Sequence, residues 1–252
     1  MTQLSGLFWF VTMVVPLIFL QRLLHREIQA VFLILTRDAR ITMGIFSLIF
    51  LPGVFLHELS HFVMAKILRV PTGRFSLLPQ PLPDGRLQLG YVETGRADML
   101  RDSLIGAAPL IVGVAAIIFM GYSRLGVGPV GEALARGDLL AALAAAQSMG
   151  DRPDFWLWVY LTFTVANSML PSASDRRAWG PVLLVAAGVT ALMFYAGFGP
   201  MLVDSLSGVL ERAAGALAAG FSLTVGLNLL ILPLLLLLEW VVMRLTGLKV
   251  NY

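Results

Sequence analysis

Apolar residues in this 252-residue chain come in long runs rather than in stripes. Six runs reach the roughly 17–25 residues that a membrane-crossing helix needs. They cover 5–24, 42–68, 103–123, 155–171, 178–198 and 218–244. The pattern predicts an all-α polytopic membrane protein with about six transmembrane helices, in a single domain over 1–252. Residues 25–40 depart from it. There Ile28, Val31, Phe32, Ile34 and Leu35 are flanked by Arg26, Arg37, Asp38 and Arg40, which reads as an interfacial amphipathic helix. The Ala-rich stretch 130–150 reads as a surface segment, and 204–219 as a surface helix or an early extension of the last span.

One polar connection is long, residues 69–102. Within it, Arg74-Phe75-Ser76-Leu77-Leu78 and Leu87-Gln88-Leu89-Gly90-Tyr91-Val92 bracket Pro83-Asp84-Gly85-Arg86. Short β-rich runs around a Pro-Asp-Gly turn predict a small β-hairpin at the membrane surface. Its open edge offers a place where an extended peptide could add as a further strand.

Composition narrows the class. The chain is 58% hydrophobic and only 13% charged, with mean hydropathy +0.84, whereas soluble domains carry about a quarter charged residues. A net charge of +3 arises from arginines scattered at the ends of apolar runs, the ordinary membrane pattern, and does not point to nucleic acid. The first run has an uncharged N-terminus and is longer than a signal-peptide core, so it reads as a retained span. The absence of cysteine excludes disulfides and thiolate metal sites, leaving histidine and carboxylate as ligands.

Inside the second run lies His57-Glu58-Leu59-Ser60-His61, an H-E-x-x-H motif. On a helix, residues four apart share a face, so His57 and His61 can grip one zinc ion. Glu58 then stands beside the metal as a proton acceptor for water. Ionisable groups at membrane depth are costly and are functional by default.

Catalytic zinc takes a third protein ligand and leaves a position for water. His25, the only other histidine, sits at the end of the first run and is expected on the opposite membrane face. Asp175, at the end of the fourth run, emerges on the same face as loop 69–102. It can meet the histidines if the segment freed by Pro171 re-enters the membrane, as backbone lining a cavity is able to do. Glu239 in the last run is a weaker alternative.

These residues together resemble the site-2 protease family of zinc-dependent intramembrane metalloproteases, over a core of about 42–180. Phe55 to Phe62 is similar to the family's zinc helix. Asn167 through Asp175 is similar to its asparagine-proline-aspartate motif, with the same Asn-to-Asp spacing. Gly106-Ala107-Ala108-Pro109-Leu110 is similar to a small-residue segment that packs near the catalytic helix. The proline stands one place later than usual, and Arg176 replaces a glycine. The resemblance implies zinc held by His57, His61 and Asp175, Glu58 as the catalytic residue, and Asn167 near the substrate or oxyanion. It describes a minimal, divergent member without an inserted PDZ domain.

The expected activity is endopeptidase cleavage of transmembrane or membrane-proximal segments, with a membrane-protein substrate and the lipid bilayer as partners. The alternative is a catalytically silent membrane scaffold or chaperone that binds other membrane proteins. A metal transporter fits less well, because internal repeats and ligands spread over several spans are missing. With six spans, ten of the eighteen Lys and Arg fall on the face carrying both termini and eight on the other. The positive-inside rule and the resemblance together put the site and both termini on the cytosolic side of the cell membrane.

Overall fold

A computed structural model describes residues 5–81 and 87–248, and it is built almost wholly of helices. Helix α1 runs Ser5–Thr36 and α2 Ala39–Ile67. Strands β1 (Thr72–Ser76), β2 (Gln80–Pro81), β3 (Leu87–Gln88) and β4 (Tyr91–Thr94) follow. Helix α3, Met99–Phe119, continues into a π-helical turn at Met120–Leu125. Then come α4 (Gly128–Ala135), α5 (Leu139–Gly150), α6 (Phe155–Ala166), α7 (Trp179–Tyr195) and α8 (Gly199–Thr246).

Four helices are long and apolar enough to cross a membrane: Gly6–Thr36, Ala39–Ile67, Met99–Leu125 and Gly199–Thr246. That fits a membrane protein. Two of the six expected spans form shorter helices. The 12-residue α6 and 17-residue α7 reach ~18 and ~26 Å, against a hydrocarbon core of ~30 Å. Helix α6 stops at Ala166 because the chain turns there into an irregular segment that reaches α7 only at Trp179.

The expected interfacial helix over 25–40 is instead the second half of α1, which is unbroken to Thr36. Leu24, Ile28, Val31 and Ile34 are all buried, so this stretch packs its apolar face on protein. Arg26, one of the charges that gave it a surface look, pairs with Glu27. The break comes later. Arg37 takes a left-handed φ of 53°, and Asp38 caps α2 by accepting from the N–H of Arg40 at 2.7 Å and of Ile41 at 3.1 Å. Residues 204–219 belong to α8, settling that segment as an extension of the last long helix.

Helices α1 and α8 pack side by side, with the Phe10 and Phe221 rings 5.5 Å apart. Ala214 and Ala218 lie buried on α8, and small residues let helix backbones approach where lipid provides no hydrophobic drive. One core cluster joins Leu17, Leu20, Ile117, Val165, Met169 and Phe221. A second joins Leu24, Phe46, Phe50 and Phe163, stacking α1, α2 and α6. Tyr160 Oη donates to the Ile49 carbonyl at 2.9 Å, fixing α6 along α2.

The predicted hairpin is present in a split form. Strands β1 and β4 pair antiparallel, with Phe75 opposite Val92, Ser76 opposite Tyr91 and an irregularity between Thr72 and Phe75. Strands β2 and β3 form a second short ladder. The expected turn at Pro83–Arg86 lies outside the described residues.

Candidate metal centre

Helix α2 carries His57, Glu58 and His61 on adjoining positions of one turn, and Glu58 and His61 are buried. Each imidazole is aimed by a backbone carbonyl from a different element. His57 Nδ1 lies 2.7 Å from the Ser168 carbonyl oxygen, and His61 Nδ1 lies 2.8 Å from that of Ile105 on α3. A carbonyl only accepts, so both Nδ1 atoms carry the hydrogen, and both Nε2 atoms present lone pairs. These Nε2 atoms are 3.2 Å apart.

Asp175 completes the group. Its Oδ1 is 3.3 Å from His61 Nε2 and its Oδ2 is 3.7 Å from His57 Nε2. One ligand atom from each of the three residues lies within 4.8 Å of the others, and the group can hold a metal ion. The spacing fits tetrahedral zinc, whose ~2.05 Å bonds place neighbouring ligand atoms about 3.3 Å apart. The donor chemistry fits as well, since lone pairs and a carboxylate this close repel one another unless a cation lies between them.

The segment after α6 brings Asp175 to the histidines, as the sequence required. Asn167 caps α6, Met169 is buried in the core, and the chain then turns through Pro171 to Arg177. The N–H of Ser172 donates to Asp175 Oδ2 at 2.7 Å. At the far end, Trp179 Nε1 donates to the Ser103 carbonyl at 3.3 Å. Gly106 on α3 makes the close approach possible, because a Cβ there would sit 2.0 Å from the Asp175 carbonyl oxygen. Burial alone would push the Asp175 carboxyl upward. The facing imidazoles in their protonated form, together with the Ser172 hydrogen bonds, outweigh it and hold the group at about 2, so it is ionised at neutral pH.

A cavity of about 1390 Å³ opens onto this group. Residues Gln88 to Thr94 form one wall, and Gly90 is packed so closely that a Cβ would lie 2.9 Å from Glu58 Cγ. Gln21, His25 and Gln29, four residues apart along α1, line another.

His25 therefore corrects the sequence reading, which put it on the opposite face. It stands on the wall of the same cavity, with its ring 5.3 Å from Phe46 and 4.9 Å from Phe50, outside the three-ligand group. The first helix is long enough to carry residue 25 back beside α2. Glu239 is buried on α8 and is not part of the group. Asn167 lines the cavity but is only 1% exposed. Its amide hydrogens go to the Phe163 carbonyl and to Asn228 Oδ1, which leaves no donor for an oxyanion.

Sequence reasoning missed the carbonyls of Ser168 and Ile105, which carry no side-chain signature. It also missed Asn228, although a lone amide within the apolar run 218–244 is the kind of signal that marks a buried polar contact. Comparison of the chain with protein-family models, curated proteins and solved structures finds no match. The site stands on its own geometry.

Proposed function

We propose that the protein is a zinc-dependent intramembrane endopeptidase of the site-2 protease type. The observation that carries this reading is the convergence of His57, His61 and Asp175 beside Glu58, on a helix long and apolar enough to lie in a bilayer. In this reading His57, His61 and Asp175 hold zinc. Zinc supplies Lewis acidity and lowers the pKa of water toward ~7. Glu58 takes a proton from the attacking water and delivers it to the leaving amine.

A transmembrane substrate satisfies its own backbone hydrogen bonds and must unwind before its carbonyls can be attacked. The cavity wall formed by Gln88 to Thr94 runs past Glu58 and is suited to hold such a segment extended. The partners are thus a membrane-protein substrate and the lipid bilayer. In this reading the site faces the cytosol at the cell membrane.

The test is a comparison of the membrane proteins that accumulate in a strain carrying Glu58→Gln with those in wild type. Accumulation of uncleaved substrate supports the protease. An unchanged profile, with unchanged association with other membrane proteins, favours a catalytically silent scaffold or chaperone.

A further inference from the structure

Two amides from different helices face each other behind the metal centre. Asn167 Nδ2 donates to Asn228 Oδ1 at 2.9 Å, and Asn228 Nδ2 donates back to Asn167 Oδ1 at 3.0 Å. Both residues are almost fully buried. The second amide hydrogen of Asn167 goes to the Phe163 carbonyl at 3.0 Å, and its own carbonyl accepts from Gln21 Nε2 on α1 at 2.6 Å. Its backbone N–H bonds the Phe163 carbonyl as well, at 3.1 Å. Residue 167 is thus held through all its polar groups by α1, α6 and α8.

The next residue is Ser168, whose carbonyl accepts from His57 Nδ1. We propose that the Asn167–Asn228 amide pair is a positioning device for the metal centre, fixing the Ser168 carbonyl and through it the tautomer and ring direction of His57. The inference rests on the metal-binding reading of His57, His61 and Asp175, but not on proteolysis. A bare structural role would satisfy two buried amides and no more. A positioning role transmits to the metal, because outer partners of a ligating histidine set its orientation and basicity. It also gives the long α1–α8 pair a part in the site, although neither helix supplies a ligand.

The test uses the full chain in detergent, with zinc affinity from chelator competition and the visible spectrum of the cobalt-substituted protein. Asn228→Leu should weaken zinc binding by about 10–100-fold and alter the cobalt spectrum. Thr224→Val serves as the control. It lies one turn earlier on α8, is fully buried and bonds the Gly220 carbonyl at 2.9 Å, and it should keep wild-type affinity. If N228L does not fold, the milder Asn228→Ser is read in its place against the same expectation. Wild-type affinity and spectrum in the Asn228 variant would overturn the proposal, as would an equal loss in T224V. A wild-type protein that binds no zinc would overturn the metal reading itself, a result distinct from either.

Discussion

The Nε2 atoms of His57 and His61 lie 3.2 Å apart, while the opposite nitrogen of each ring is bonded to a backbone carbonyl of another element. Two lone pairs at that distance, with the Asp175 carboxylate 3.3 and 3.7 Å away, make a pocket of negative potential on a helix built for lipid. A cation relieves it, and the consequences can be measured one residue at a time.

Asp175→Ala removes a ligand from the centre. Zinc affinity should fall by more than the ~10–100-fold typical of changes around, rather than at, a ligand. Isothermal titration or chelator competition checks this. Unchanged affinity would mean that the carboxylate is not a ligand.

Gly106 and Gly90 should separate metal binding from catalysis. A side chain at Gly106 meets the Asp175 backbone 2.0 Å away, so Gly106→Val must displace the ligand segment. Overpacking of this kind costs about 1–3 kcal/mol, and the variant should lose both zinc and thermal stability. At Gly90 the nearest atoms are Glu58 Cγ at 2.9 Å and Val54 Cγ1 at 3.0 Å. Gly90→Ala should therefore keep one zinc per chain but lower kcat. Equal metal loss in both variants would contradict this division of labour.

The pH dependence has a defined sign. The Asp175 carboxyl is lowered to about 2, so its contribution to the stability of the metal-free protein is present above its ordinary value of 3.8 and is lost as pH falls through about 2. It stays ionised throughout the range in which zinc is released by acid. Release should instead follow the two imidazoles, which must be neutral to bind and ordinarily titrate near ~6.5. Zinc affinity should therefore fall steeply on acidification below about pH 6.5, with more than one proton taken up per zinc. Zinc titrations at a series of pH values report this, and a flat profile down to pH 4 would exclude histidine ligation.

Much of the centre was legible because helix geometry converts a four-residue spacing into a shared face. His57, Glu58 and His61 needed nothing more. Asp175 was legible through Pro171, which signals the end of a helix, and through the lack of a competing ligand. His25 was misplaced because a run of charges looked like a helix end, whereas Arg26 and Glu27 neutralise each other and α1 continues. The length of α6 was overestimated because apolar residues in the turn after Ala166, such as Met169 and Leu170, look the same as helical ones in a hydropathy window. The Asn167–Asn228 pair joins residues 61 positions apart. Such a contact depends on how α8 docks, which local pattern does not encode.

The most direct test of the central claim is a paired measurement on wild type and Glu58→Gln, reconstituted in lipid vesicles with a transmembrane substrate segment. Zinc content and cleavage are read on the same samples. Wild type should hold one zinc per chain and cut the segment, and E58Q should hold the same zinc and cut at least about 100-fold more slowly, the lower range for loss of a general base. Cleavage by E58Q at the wild-type rate, or a wild-type protein that retains zinc and never cuts, would contradict the account.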